Sequence, residues 1–462
     1  MIKLIYNESY KIFHKKTIYI LWICIFVFSL INNILFKITY DNNGNYIDNK
    51  KDNIEEKIKK LEIKIKNEQD MEYVRDKTNL DILKLQSNYR KDSFQYNKTK
   101  DYFYNTIYNI NYYTEIEENT NLLEEYKITY DKYLNWFNNN NNYDFIKENI
   151  KEIDDKLKFD KNNQELLLQK EILLLRLNKN IDYSTNYLND AINNYYNSSL
   201  ELNNLTTKDD YQEKIKYNEL IKEKYLNKYI IDNKLNINKN NDLRGSLKTI
   251  LEDYEIFIIL IITIITSTII SEEYNKGTIK LLLAKPYSRN KIILSKYITS
   301  IIIMLISIII LIILELWIGG VIFGLSSLKI PIVVYDFNIN NIKEYNIFVY
   351  MIIRILYNLP KLLFILTFCF LISTITINSV ISSITTLTIY LFTDTIINIL
   401  KKFSLIKLTI LPNYNFLTYI NGNINKYLNI KINYSITIYI FHYLLLFLLI
   451  FVIFKKRDIK NI

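Results

Sequence analysis

The chain has few of the residues that interrupt helices and few of those that build disulfide, metal or redox sites. Its 462 residues include four prolines, seven glycines, two cysteines and two histidines. Cys24 and Cys369 each lie inside an apolar run, and residues 41–253 contain neither Cys nor His. Disulfide bonds are therefore not expected to hold this protein together, and no metal site or Cys–His nucleophile is indicated.

A phosphate-binding loop is also missing. The sequence has no Gly-x-x-x-x-Gly-Lys-Ser/Thr pattern, which is the usual phosphate cradle of ATPases. In residues 41–253 Lys is nearly balanced by Asp and Glu, which leaves no basic patch for nucleic acid. We therefore expect no cofactor, no nucleic-acid partner and no enzymatic activity of the chain itself.

The residues that are abundant fall into two blocks of different composition. Residues 41–253 are rich in Lys, Asn, Asp, Glu and Tyr, whereas residues 254–454 are mostly Ile, Leu, Phe and Thr. The excess of Ile, Asn, Lys and Tyr suggests a low-GC bacterium, so Asn enrichment by itself is weak evidence for any function. The blocks predict a polar domain followed by a membrane domain.

Apolar runs predict six transmembrane helices, since a bilayer core about 30 Å thick takes roughly 17 to 25 helical residues to cross. The run from 347 to 400 is long enough for two crossings, with a turn near Asn378 and Ser379. A signal peptide is the alternative for the first run, but no small-residue cleavage site follows it. The predicted spans are Ile18–Phe36, Ile256–Ser271, Ile298–Phe323, the two within Ile347–Leu400, and Ile436–Phe454.

Lys and Arg near the helix ends predict the orientation of the chain in a bacterial cytoplasmic membrane. Residues 1–16, the loop 272–296 and the tail after 454 are all basic, which places both termini in the cytoplasm. The loop 401–433 is basic as well, although six crossings put it outside. Either that loop is partly re-entrant or one crossing between 347 and 400 is misread.

Residues 41–253 are predicted to form a large extracytoplasmic helical domain between the first and second transmembrane helices. Ile54, Ile58, Leu61 and Ile65 recur at helical spacing, and this region has no proline. Long antiparallel, coiled-coil-like helices are the favoured interpretation, and a partly disordered charged insert is the alternative. The fold class is thus an all-α membrane protein with parts 1–40, 41–253 and 254–462.

The loop 272–296 carries the most informative local pattern. Gly277 can end the helix leaving the membrane, Thr278 can cap a short helix, and Pro286 can stop it before Ser288 begins the next. The short helix would lie across the membrane face, resting an apolar edge on the bilayer. Its basic residues would face water or a partner.

This loop resembles the coupling loop of permease subunits in the ATP-binding cassette type-2 family of bacterial exporters. The residues that carry the resemblance are Glu273, Gly277, Thr278, Lys280, Leu282, Leu283, Pro286, Ser288, Arg289 and Lys296. The amphipathic start, Leu4–Phe13, likewise resembles the interfacial elbow helix of that family. The resemblance spans residues 1–40 and 254–462 and leaves out the polar domain.

The resemblance implies a transport permease that works with a separate cytoplasmic ATPase subunit, which binds the ATP, and with a second permease copy or homologue. Glu273 and Arg289 would then hold the loop and dock it to the ATPase, although charges that simply mark a helix end are the alternative. Glu315 and Asp394, being ionisable within apolar helices, are candidate transport-path residues or interfacial carboxylates.

A second interpretation is a membrane-anchored coiled-coil receptor or secretion accessory protein built on a permease-like base. Such a scaffold has no need for the Gly277–Thr278 and Pro286–Ser288–Arg289 pattern.

Overall fold

A computed structural model describes residues 1–39, 54–66, 69–89, 94–116, 120–139, 142–181, 186–205, 211–237, 242–284 and 286–457. The chain divides into two compact units. We call the first the membrane unit, which comprises Met1–Ile47, Thr207–Lys222 and Ile237–Ile462. The second, the helical unit, comprises Asp48–Thr206 and Glu223–Asn236.

Six helices of the membrane unit, within the described residues, are long and apolar enough to cross a membrane. This confirms the prediction of a mainly helical, membrane-embedded protein. The break in the long apolar run falls at Ile377 and Asn378, as predicted. The six are α2 (Lys16–Thr39), α12 (Glu255–Asn275), α14 (Arg289–Phe323), α15 (Ile347–Thr376), α16 (Ser379–Leu400) and α17 (Ile432–Lys456).

Short polar side chains begin several of these helices, because the first amide groups of a helix have no partner within it. The Asn346 side chain accepts a hydrogen bond from the amide of Phe348 at the start of α15. Asn378 does the same for two amides at the start of α16, and Ser288 begins α14. In a chain with so few glycines and prolines, these caps set the helix boundaries.

Helix α12 lies at the centre of the membrane unit and contacts α14, α15 and α16. Its buried residues include Ile258, Ile262 and Ile265, whereas α17 turns residues such as Phe441 and Leu448 outward. Because lipid tails are as apolar as these side chains, an outward apolar face is the expected surface of a membrane helix.

Several shorter elements also belong to the membrane unit. Helix α1 (Ile2–Phe13) packs on α14, and α11 (Leu243–Asp253) packs on α14 and α15. An antiparallel hairpin of β1 (Ile332–Asp336) and β2 (Asn341–Tyr345) is a small exception to the helical architecture. Between α16 and α17, short 3-10 turns lie at Ser404–Leu408, Leu411–Asn413 and Phe416–Gly422.

The helical unit is built from packed helices with an aromatic core. Phe103 and Phe137 are fully buried and meet edge to face, and Tyr102 stacks on Phe145. Its helices are α3 (Ile54–Ile65), α4 (Asp70–Ser87), α5 (Phe94–Ile116), α6 (Thr120–Asn138), α7 (Asn142–Phe159), α8 (Gln164–Asn178), α9 (Asn186–Asn204) and the end of α10 (Tyr211–Asn233). The predicted helical content of this region is therefore present, while its extracytoplasmic position stays a prediction.

Candidate functional site

The loop between α12 and α14 contains a short helix, α13 (Ile279–Leu283). Gly277 precedes α13 with a backbone φ of +66°, a conformation that residues with a Cβ rarely adopt. The Thr278 hydroxyl donates to the Glu273 carboxylate, so the end of α12 and the start of α13 are tied together. The loop thus reverses direction at a defined point and does not simply unwind.

Helix α13 has one buried side and one exposed side. Ile279 and Leu282 are buried, whereas Leu281 is 72% exposed and Lys280 also lies on the surface. The exposed side gives the loop an apolar contact point, Leu281, that is left open by the residues the structure describes. Pro286 and Ser288, as predicted, lie between α13 and α14, where the Ser288 hydroxyl accepts from the amide of Lys291.

Beneath α13 lies a cluster of four charged side chains from three helices, which we call the ionic cluster: Glu8, Lys11, Glu273 and Lys296. The Lys296 Nζ lies 2.7 Å from Glu8 Oε2 and 3.3 Å from Glu273 Oε1. The Lys11 Nζ lies 2.7 Å from the same Glu273 oxygen. The cluster joins α1, α12 and α14.

Because the ionic cluster is buried, it holds α1, α12 and α14 together firmly. Lys296 is 1% exposed, Glu8 4% and Glu273 8%, so each charge depends on its partners and not on water. The Lys296 Nζ also donates to the Ile269 carbonyl at 3.2 Å. Removing any one member would leave a buried charge without compensation, whereas the intact set is balanced at two acids and two bases.

Lys11 is the most exposed member of the ionic cluster. Burial alone would lower its pKa, but the hydrogen bond to Glu273 and the charges of Glu8 and Glu273 outweigh burial and raise the pKa above 10.5. A raised pKa means that this stabilisation is fully present below pH 10.5 and is lost only as the pH rises through the folded-state value. The stabilisation that Lys11 contributes is therefore present throughout the physiological pH range.

Arg289 binds the end of another membrane helix. Its Nη1 donates to the carbonyl of Lys455 at 2.9 Å and to that of Arg457 at 3.1 Å, where α17 ends. Arg457 in turn donates to the carbonyls of Thr374 and Ile375 at the end of α15. Both arginines satisfy carbonyls that a helix leaves free at its C-terminus. In this chain Arg289 therefore has an internal partner, whatever it contacts in a complex.

Glu315 lies near the other end of α14 and is 1% exposed. Ser29 donates to its carboxylate at 2.7 Å, Asn33 at 2.9 Å and Tyr254 at 3.2 Å, and Ser246 donates as well. The carboxylate therefore points into the protein and does not reach the surface as an interfacial carboxylate would.

Asp394 occupies a different place, at the rim of a polar cavity of about 320 Å³. Its side chain is 66% exposed and lies 3.2 Å from Lys426. Deeper in the same cavity, Lys361 lies 2.7 Å from Glu255, with both side chains largely buried. Glu315 and Asp394 thus belong to separate sites, and the cavity also contains the Lys361–Glu255 ion pair, which the sequence does not predict.

Glu273 and Lys296 are both recognisable in the sequence of the loop, but their pairing with each other and with Glu8 and Lys11 is not. Glu8 and Lys296 are 288 positions apart, and no local pattern links them. The charges themselves were a usable signal. Lys296 lies near the start of an apolar helix and Glu8 lies on the apolar face of α1, and a charge in either place needs a partner. The same reasoning could have paired Lys361 with Glu255.

Comparison with known proteins adds a family. No curated protein and no solved structure matches this chain. A family model described as a protein of unknown function, DUF2705, matches residues 217–460, which include α11 to α17 and therefore Glu273, Lys296 and Glu315, but not the α1 and α2 residues that contact them. This match extends over more than half of the chain, and the chain therefore belongs to the DUF2705 family.

Proposed function

We propose that the chain is the membrane-spanning permease subunit of an ATP-binding cassette exporter, which moves a peptide, drug or ion using an ATPase on a separate chain. The observation that carries this proposal is that Thr278, immediately before the short helix α13, donates to Glu273, a member of the buried ionic cluster that joins α1, α12 and α14. A helix that only connects two spans needs no such attachment.

The contacts around α13 suit it to transmit a displacement, caused by a bound ATPase, to the membrane helices. The Thr278–Glu273 hydrogen bond joins α13 to α12, and the bond from Lys296 to Glu273 carries the connection to α14. Buried charge pairs do not stretch without cost, so a displacement of α13 would move α12 and α14 together. Glu8 extends the connection to α1.

In this proposal α13 faces the cytoplasm, where the ATPase is, and both termini lie on the same side. The basic residues near α13 and at the end of α17 agree with that orientation. The helical unit would then lie outside the cell. A second permease copy or homologue and membrane lipid would complete the assembly.

The alternative is a membrane-anchored receptor or secretion accessory protein. The separate helical unit with its own aromatic core favours this candidate, because a transport cycle does not by itself call for such a unit. The two candidates differ in one respect that can be measured, which is whether an ATPase binds α13.

The test is co-expression of this chain with the ATPase encoded nearest to its gene, followed by purification and measurement of ATP hydrolysis. Leu281→Asp places a charge on the exposed side of α13 and is expected to abolish co-purification. Leu405→Asp is the matched control, since Leu405 is 71% exposed in a different loop. Retained ATPase binding by Leu281→Asp would refute docking through the exposed side of α13, and no ATPase bound to the unmodified chain would refute the permease proposal.

A further inference from the structure

The carboxylate of Glu315 is surrounded by neutral donors. Its partners are the hydroxyls of Ser29, Ser246 and Tyr254 and the amide of Asn33, which come from α2, from α11 and from the junction of α11 with α12. In the described part of the chain no Lys, Arg or His forms an ion pair with it. This separates Glu315 from Glu273 and Glu255, each of which has a lysine.

Neutral hydrogen bonds do not cancel a charge. A carboxylate taken out of water loses its solvation, and in low-dielectric surroundings it needs an opposite charge nearby. Acidic residues within membrane helices face partners or ions for this reason. The Glu315 site supplies hydrogen bonds to the carboxylate but no counter-charge from the described residues.

A second oxygen at the same place has no hydrogen-bond partner among the described residues. The Asn33 amide nitrogen donates to Glu315 and to the Ser29 carbonyl, whereas its Oδ1 is buried and accepts no hydrogen bond from them. Asn33 as a whole is 1% exposed. Asn33 Oδ1 lies close to the Glu315 carboxylate, because the nitrogen of the same amide group donates to Glu315 Oε1 at 2.9 Å.

We propose that Glu315 and Asn33, together with the hydroxyls of Ser29, Ser246 and Tyr254, form a binding site for Na⁺. Every ligand is a hard oxygen, the type preferred by alkali and alkaline-earth cations. One carboxylate is balanced by a single positive charge, which favours a monovalent ion over a divalent one. The described residues contain no cluster of three His, Cys, Asp or Glu that would suit a more highly charged metal.

The site would also explain why α11 is bound to the membrane helices at this point. Ser246 and the adjoining Tyr254 reach Glu315 from the α11 side, while Ser29 and Asn33 reach it from α2. A bound cation would hold these elements together through shared oxygens. This inference does not depend on transport and is tested on the chain alone.

The experiment measures the apparent melting temperature of the purified full chain in detergent, in NaCl and in choline chloride at equal ionic strength. Na⁺ is expected to raise the melting temperature by a few degrees, because a ligand that binds the folded state stabilises it. Glu315→Gln keeps the shape and removes the charge. It should melt higher than the unmodified chain in choline and show no response to Na⁺.

Asp394→Asn is the matched control, because Asp394 is also an acid on a membrane helix but is largely exposed and paired with Lys426. It should respond to Na⁺ like the unmodified chain. Radiolabelled Na⁺ should bind saturably to both and not to Glu315→Gln. Equal Na⁺ responses in Glu315→Gln and in the unmodified chain, or no saturable binding to the latter, would overturn the proposal.

Discussion

Lys296 and Glu315 lie on the same helix, α14, about 28 Å apart along its axis at 1.5 Å per residue. This separation is close to the roughly 30 Å thickness of a bilayer core. Each residue is 1% exposed, and each is the centre of a polar site that joins α14 to neighbouring helices. The two sites therefore lie at opposite ends of one membrane crossing, and any movement of α14 must affect both.

The first prediction concerns Lys296. Lys296→Met leaves the buried carboxylates of Glu8 and Glu273 with one lysine between them, and we expect it to lower the stability by about 3–5 kcal/mol. Thermal unfolding of the detergent-solubilised chain measures the loss. Lys276→Met, which removes a 68% exposed lysine, should change little.

A double variant tests the charge balance directly. Adding Glu8→Gln to Lys296→Met leaves one acid, Glu273, and one base, Lys11. The charges of the cluster are then balanced again, and part of the stability should be recovered. Equal instability of the single and double variants would show that Lys296 acts through packing and not through its charge.

The sequence predicts where the helices of the membrane unit lie better than it predicts which residues of different helices contact one another. Helical periodicity and apolar length locate the six long helices, and Gly277, Pro286 and Ser288 mark the ends of the loop that contains α13. Contacts between distant positions, such as Glu8 with Lys296, follow from packing that local pattern does not encode. The hairpin of β1 and β2 was missed because it is short and bounded by helices.

The second prediction concerns Arg289. Arg289→Gln removes two hydrogen bonds to carbonyls at the end of α17, at a cost of about 1–3 kcal/mol for a charged donor. Hydrogen–deuterium exchange should become faster in the last turn of α17. Lys291→Gln, in the same turn of α14, serves as the control. Unchanged exchange in Arg289→Gln would mean that the cap contributes nothing and would leave Arg289 available to a partner.

The third prediction concerns Gly277. Its φ of +66° disfavours any residue with a Cβ, although no atom of the described residues lies within 4 Å of the position a Cβ would take. Gly277→Ala should therefore cost about 1 kcal/mol from backbone strain alone, and Gly277→Asn less, because Asn tolerates this conformation. Gly277→Pro cannot adopt it and should displace α13.

Thermal unfolding ranks these three variants, and ATP hydrolysis by the assembled complex reports the displacement of α13. Proline should uncouple hydrolysis while asparagine should not. If all three variants destabilise equally, the positive φ is not the reason for glycine at this position.

The fourth prediction concerns pH and Lys248 on α11. Burial, followed by repulsion from Lys222, Arg244 and Arg354, lowers the pKa of Lys248 to about 8 from 10.5. Below pH 8 the folded protein carries this unfavourable charge in full. As the pH rises from about 8 toward 10.5 the folded state releases the proton before the unfolded state does, so stability increases.

Lys248→Met should therefore stabilise the protein below pH 8, by at most about 3 kcal/mol, and the gain should shrink toward pH 10. Thermal unfolding at a series of pH values measures the difference from the unmodified chain. Lys329→Met, which removes an exposed lysine, provides the reference. A gain that does not vary with pH would assign the effect of Lys248→Met to packing.

The last prediction compares two neighbouring glycines of α14. A Cβ at Gly319 would lie 2.8 Å from Leu243 Cδ1, and Leu243 is fully buried, so α11 must move away from α14. A Cβ at Gly320 would meet Leu325 at 3.1 Å, but Leu325 is 62% exposed and can turn aside. Alanine favours a helix interior by about 1 kcal/mol over glycine. Gly320→Ala should therefore be neutral or stabilising, whereas Gly319→Ala should cost about 1–3 kcal/mol from overpacking.

Leu243→Ala makes room for the methyl group that Gly319→Ala introduces. The decisive comparison is therefore between the two single variants and the double variant. Each single variant should destabilise the protein, and the double variant should be less unstable than the sum of the two, because each change relieves the other. Strict additivity in thermal unfolding would show that Gly319 and Leu243 do not determine how closely α11 approaches α14. Because Ser246 reaches Glu315 from the same helix, a displaced α11 should also weaken the response of the chain to Na⁺.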